Sequence, residues 1–159
     1  MGLFVVIPHS TEERNMQVQD IMTSDPVCCG GNTTIQEAAK LMAEHSIGAL
    51  PVLNDAGEPM GIVTDRDICC GGVAEGKSGD TAVSEVMSTD VLTTSPEEDV
   101  SSCCNKMEER QVRRAVVTDG EGKCCGMVAQ ADVAREAQGA ETADLVQKVS
   151  QPEGRSGCC

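Results

Sequence analysis

Gly61-Ile-Val-Thr-Asp-Arg-Asp67 returns later in the chain as Gly126-Met-Val-Ala-Gln-Ala-Asp132, and this pair of stretches decides the architecture. The copies stand 65 positions apart, and the same offset aligns 18–68 with 83–133 without a gap. Val18-Gln-Asp-Ile-Met22 faces Val83-Ser-Glu-Val-Met87, Asp25 faces Asp90, Met42-Ala-Glu44 faces Met107-Glu-Glu109, and Gly57 faces Gly122. Identity is low, but apolar character and the glycines stay in register. A fixed period of this kind marks a repeat architecture. A half of ~55–60 residues buries little surface alone. Two halves related by a pseudo-twofold axis and sharing one core are therefore expected.

Working outward from the quoted stretch, each repeat reads as helix or turn, strand, helix, strand, strand, helix. Thr34 and Glu37 form a capping-box pattern. Ile35, Ala38, Ala39 and Met42 then fall on one helical face. In the second repeat, Ser95-Pro96 suits a cap followed by a first-turn proline, and Val100, Cys103, Cys104 and Met107 repeat the apolar spacing. Strands are predicted at 49–53 and 115–118. The turns Asn54-Asp55-Ala56-Gly57 and Asp119-Gly120-Glu121-Gly122 join them to second strands ending near Thr64 and Ala129. Short closing helices are predicted over 65–74 and 130–138, with a linker at 71–81. The expected division is a leader over 1–15, a first unit over 16–76, a second over 77–139, and a short helix with a loose tail over 140–159. The fold class is α/β (α+β), with two tandem β-α-β-β-α units.

Composition removes several function classes. The 159 residues carry a formal charge of −14, with 12 Lys and Arg and no long basic stripe, so a nucleic-acid partner is not expected. Phe4 is the single aromatic residue, which leaves no stacking platform for bases. A purine would have to lie between aliphatic side chains. No run approaches the ~18 apolar residues that span a bilayer, and 3–7 lacks the flank of a signal peptide. A cytoplasmic protein without membrane contact is the expectation.

The ten cysteines form five adjacent doublets, at 28–29, 69–70, 103–104, 124–125 and 158–159. Neighbouring cysteines bridge each other only with strain, and no C-x-x-C pair suggests a zinc ribbon or redox motif. Reduced thiols with a packing role are expected, and Cys103-Cys104 stand where the first repeat has Ala38-Ala39. No Ser-His-Asp or Cys-His arrangement points to an enzyme.

The gapless repeat, the Asp20-Ile-Met-Thr23 opening, His45-Ser-Ile-Gly-Ala-Leu-Pro-Val52 and the two Gly-to-Asp stretches together resemble a pair of cystathionine-β-synthase-type (CBS) domains, also called a Bateman module. The resemblance spans about Val18 to Glu136. It implies a regulatory module that binds an adenosine-containing nucleotide between its repeats, dimerises with a second copy and alters a separate, unidentified protein. No obligatory cofactor is implied. It also implies that Thr64 and Asp67 contact the nucleotide, with Asp132 the equivalent aspartate and Val27 and Cys28 contributing.

The chemistry of those positions is readable. A glycine lets a strand approach its neighbour closely. Thr64 stands where strand turns to helix, so its hydroxyl can cap the helix or reach a ribose or phosphate oxygen. An ionised Asp67 only accepts hydrogen bonds, which suits the paired hydroxyls of a ribose. The plain alternative is that the two merely cap a helix. In the second repeat Ala129 replaces the threonine, which leaves Asp132 without a hydroxyl partner and predicts a weaker second site. Against that, Arg113-Arg114 stand where the first repeat has Gly48-Ala49, and a guanidinium suits a phosphate; the plain alternative is a solvated or dimer-facing charge pair. Alternation along a strand lets at most one of the two aim inward. The competing reading is a thiol-based redox or metal-responsive protein on the same scaffold.

Overall fold

A computed structural model of the chain describes residues 15–136. Residues 1–14 of the expected leader, with His9, and residues 137–159, where the terminal helix and tail with Cys158 and Cys159 were expected, lie outside the described residues. The order is α1 (Val18–Ile21), β1 (Thr23–Ser24), β2 (Cys29–Gly30), α2 (Ile35–His45), β3 (Ala49–Leu53), β4 (Pro59–Thr64) and α3 (Asp65–Asp67). A wider, π-type turn over Ile68–Val73 continues α3, and a 3₁₀ turn at Val83–Glu85 opens the second repeat. Then come β5 (Thr93–Thr94), α4 (Val100–Glu109), β6 (Arg114–Thr118), β7 (Cys124–Ala129) and α5 (Gln130–Glu136). The α/β reading with two like units holds. The linker does not begin at Gly71, because Gly71 to Val73 still belong to the helical segment.

Each half is built around a hairpin. β3 and β4 pair antiparallel, as do β6 and β7, and in both the register shifts near the end, at Val52/Leu53 and Val117/Thr118. The turns work alike. Asn54 Oδ1 accepts from the amides of Ala56 (3.0 Å) and Glu58 (2.9 Å), and Asp119 Oδ1 from Glu121 (2.9 Å) and Lys123 (3.0 Å). Gly57 and Gly122 hold φ of 85° and 82° in these turns, a region in which a side chain is strained. β2 and β5 add to β3 and β6 in parallel.

The halves then exchange segments. β1 of the first repeat pairs with β7 of the second, Thr23 opposite Met127, and Ser88 of the second bridges Ile62 of the first. Gln17 bridges Asp99, and Ala82 bridges Thr34. The core follows this exchange and corrects the expectation of one shared core. One cluster holds Leu92, Val100, Cys103, Met107, Ala115, Val117, Val128 and Val133 together with Val18 from the first repeat. The other holds Cys29, Ile35, Ala38, Met42, Leu50, Val52 and Val63 together with Val83 from the second. Each small sheet covers one long helix, and each cluster closes on a valine lent by the opposite half.

Two helix starts differ from each other. Thr34 caps α2 as read from sequence: its Oγ1 accepts from the Glu37 amide at 3.2 Å, and Glu37 Oε2 accepts from the Thr34 amide at 3.0 Å. Helix α4 does not start at Ser95-Pro96. Its N-cap is Asp99, with no side-chain capping bond. Residues 95–98 form a turn whose carbonyls are already used: Val18 N–H donates to Glu98 O (2.8 Å) and Gln19 N–H to Pro96 O (2.9 Å). The Val100 amide donates to Met16 O at 2.8 Å. Tertiary partners, not a local cap, fix that start. Cys103 is 2% exposed within the cluster and Cys104 packs against it, in line with a packing role.

Glu98 ties the turn to α4. It accepts from Thr94 Oγ1 (2.7 Å), Ser102 Oγ (2.7 Å) and Lys106 Nζ (2.8 Å). Burial works against its charge, but the hydrogen bonds from Lys106, Thr94 and Ser102 prevail and hold the carboxyl down to about 2. A depressed carboxyl stabilises the fold fully above its unfolded value and loses that contribution as pH falls towards the folded value. Glu98→Gln is therefore expected to cost ~1–2 kcal/mol at pH 7, after discounting for solvent screening. Urea titrations of both proteins should converge between pH 4.5 and about 2, and a gap that persisted at pH 2 would contradict this account.

Candidate functional site

The two Gly-to-Asp stretches lie at the ends of β4 and β7, where strand passes into helix. Thr64 is opposite Ala49, and Ala129 is opposite Arg114. Equivalent bonds close both junctions: Asp65 N–H to Gly48 O (3.1 Å) and Gln130 N–H to Arg113 O (2.9 Å).

At the first junction Thr64 and Asp67 hold each other. Asp67 Oδ2 accepts from the Thr64 amide (2.9 Å) and from the Thr64 hydroxyl (2.8 Å), and Thr64 Oγ1 accepts from the Asp67 amide (3.1 Å). This is a reciprocal cap. It uses the hydroxyl proton, so Thr64 has no second donor for a phosphate in this conformation. At the second junction Asp132 is 9% exposed; its Oδ2 accepts from the Ala129 amide (2.8 Å) and its Oδ1 pairs with Arg135.

An open cleft of about 360 Å³ lies over the second junction, lined by Arg113, Arg114, Ala129, Gln130, Ala131 and Ala134. Both arginines reach it, although alternation admitted only one. Arg113 precedes β6 and so is not bound by the alternation of the strand. Among the described residues neither arginine has an ion pair. Arg114 also crosses to the other half, with its Nη2 3.8 Å from where a Cβ on Gly48 would stand. The bare Gly48 position thus leaves room for the Asp65 carboxylate and for Arg114 of the opposite repeat. A smaller groove of about 260 Å³ beside α4 contains cations too. Those are committed, Lys106 to Glu98 at 2.7 Å and Arg110 to Asp90 at 3.5 Å.

The cleft therefore brings Arg113 and Arg114 together with Ala129, whereas Asp132 is not among its lining residues. Thr64 and Asp67 sit at the equivalent junction of the first repeat. Val27 packs against the first-repeat core, and the Cys28 thiol donates to Pro26 O at 3.1 Å; neither lines the cleft. Sequence reading missed Gln130, Ala131 and Ala134 as lining residues. Their signal was smallness: alanines beside a buried aspartate leave a cavity unfilled. His45 is exposed in the last turn of α2.

The family model for the CBS domain matches residues 18–70 and 83–139, the two repeats. The chain belongs to the CBS-domain family. This CBS pair is 40% identical to the CBS domain-containing protein YhcV of Bacillus subtilis over 117 residues, covering 74% of this chain and 82% of that one. Among solved structures it resembles the CBS domain pair of protein MJ0100 in complex with 5′-methylthioadenosine and S-adenosyl-L-methionine, with a TM-score of 0.69 at 30% identity, covering 76% and 98% of the two chains. It also resembles Hypoxic Response Protein I with two coordinated zinc ions, with a TM-score of 0.69 at 36% identity, covering 77% and 99%. Among the described residues of this CBS pair, no three His, Cys, Asp or Glu side chains cluster as a metal site would require. No described helix is long and apolar enough to cross a membrane.

Proposed function

We propose that this CBS pair is a ligand-sensing regulatory module, not a catalyst, and that an adenosine-containing nucleotide occupies the cleft over β6 and β7. The observation that carries the proposal is the uncommitted Arg113–Arg114 pair lining a cavity in a chain of charge −14. A phosphate or another anionic group faces the guanidinium forks. Asp132 takes the ribose hydroxyls once Arg135, whose side chain is 71% exposed, swings away. The base lies against alanine side chains, since no aromatic side chain lines the cleft. Thr64 and Asp67, with Val27 and Cys28, are the candidates for a first-repeat site. Because the Thr64 hydroxyl is engaged in its cap, the arginine-lined site is ranked tighter, reversing the order expected from the threonine alone.

The complex of MJ0100 with two adenosine derivatives supports the ligand class. The module acts in the cytoplasm as a homodimer. Occupancy changes the geometry between its halves and so a separate protein's activity. Mass spectrometry of ligands released from the purified protein, followed by calorimetry with AMP, ADP, ATP and S-adenosylmethionine, tests the reading. Asp132→Ala is expected to remove the tighter event and Asp67→Ala to spare it. No binding of any of the four at millimolar concentration would defeat the proposal.

A further inference from the structure

Position 65 is the first repeat's counterpart of position 130. Asp65 and Gln130 each open the helix that follows their strand, and each donates its amide to the residue just ahead of the facing strand, Gly48 or Arg113. Gln130 lines the arginine cleft. Asp65 meets that cleft's arginine from the other half of the module. A Cβ on Gly48 would stand 3.3 Å from Asp65 Oδ2 and 3.8 Å from Arg114 Nη2. A carboxylate of the first repeat and a guanidinium of the second thus flank one empty point on a bare glycine. The Arg66 amide donates to Asp65 Oδ1 at 2.8 Å and so helps fix the carboxylate's direction. Among the described residues Asp65 forms no ion pair, so neither Arg114 nor Arg66 cancels its charge.

We propose that Asp65 is a specificity-determining residue of the arginine cleft, one that favours adenosine ligands with a single anionic group over di- and triphosphates. The inference rests on the placement of an adenosine nucleotide in that cleft. A monophosphate brings one anionic group to two guanidiniums. Each further phosphate adds negative charge with no further lining cation to receive it, since Ala129, Gln130, Ala131 and Ala134 complete the wall. The added charge has to settle near Arg114, and there it meets Asp65. Repulsion between like charges grows with every charge added. Asp132 opposes the ligand less, because Arg135 is paired with it. Size works in the same direction: about 360 Å³ is near the small end of the roughly 300–1,000 Å³ usual for ligand sites.

The test is calorimetry on the full chain in magnesium-free buffer, with adenosine, AMP, ADP and ATP. The wild type should bind AMP at least as tightly as ATP. Asp65→Asn keeps the side-chain oxygen that accepts from Arg66 and removes only the charge. It should tighten ATP by about three- to tenfold and ADP by less, leave AMP within about twofold, and leave adenosine unchanged. The gain for ATP should shrink as salt rises. Glu121→Gln removes the same charge in the hairpin turn at the far end of β7 and should leave the ranking as it is. An equal change for all four ligands, an unchanged ranking, or the same gain from Glu121→Gln would overturn the role of Asp65 while leaving the cleft's ligand class intact. A wild type that binds none of the four would instead defeat the ligand reading, and this inference with it.

Discussion

The double variant Arg113→Ala/Arg114→Ala is expected to bind AMP ten- to a hundredfold more weakly than the wild type, while its affinity for adenosine barely changes. A hydrogen bond to a charged group is worth about 1.5–3 kcal/mol, and each 1.4 kcal/mol is a factor of ten. The larger loss applies if both forks meet the phosphate. Adenosine lacks that anion, so its binding reports the ribose and base contacts alone. The chain's own acidity sharpens the contrast: at −14, every approaching phosphate is repelled by the rest of the surface, and the arginines are what offset it locally. Raising salt should therefore weaken AMP binding to the wild type more than to the double variant. Calorimetry with both ligands at two ionic strengths gives the answer. Equal losses for AMP and adenosine would mean that the arginines shape the cleft without touching phosphate.

The second large effect concerns folding. Gly61 and Gly126 sit on β4 and β7 against methionines from the opposite repeat. A Cβ on Gly61 would stand 2.4 Å from Met87 Sδ, 3.1 Å from Met87 Cγ and 3.0 Å from the carbonyl oxygen of Ser88. On Gly126 it would stand 2.6 Å from Met22 Sδ and 3.3 Å from Thr23 O. A thioether can swing aside, but the Ser88 carbonyl is part of the bridge to Ile62 and moves only with it. Gly61→Ala is thus expected to cost ~2–3 kcal/mol, near the top of the usual range for overpacking, and Gly126→Ala nearer ~1 kcal/mol. Urea midpoints at constant m-value measure both. Met87→Ala added to Gly61→Ala should recover only part of the loss, because the backbone contact remains. Greater damage at Gly126 than at Gly61 would refute the distinction between backbone and side-chain obstruction.

The repeat, the two hairpins and the capping box at Thr34 were legible because each is encoded locally, in period, turn chemistry and cap spacing. The start of α4 was not. Ser95-Pro96 satisfies every local rule for a helix start, yet the carbonyls of Pro96 and Glu98 are bonded to α1, far away in sequence. The exchange of Val18 and Val83 was hidden for a related reason. Apolar periodicity tells which face of a segment is buried but not which half buries it. At the site, the Gly-to-Asp motif marked the two strand-to-helix junctions. It gave no sign that Thr64 spends its hydroxyl on a cap, or that the cavity opens over the repeat lacking that hydroxyl.

The lending of one core valine by each half changes what the connecting segment after Val73 has to do. Neither half owns a complete interior: cut away from its counterpart, each would show water a gap where the other's valine had been, and each would leave β1 or its counterpart bridge unpaired. A protease nick between 74 and 81 should accordingly yield two fragments that stay associated through size-exclusion chromatography. The covalent connection supplies only the effective concentration at which the halves meet. Their relative orientation is written into the interleaved strands, so that segment can vary in length and composition without altering how the halves sit.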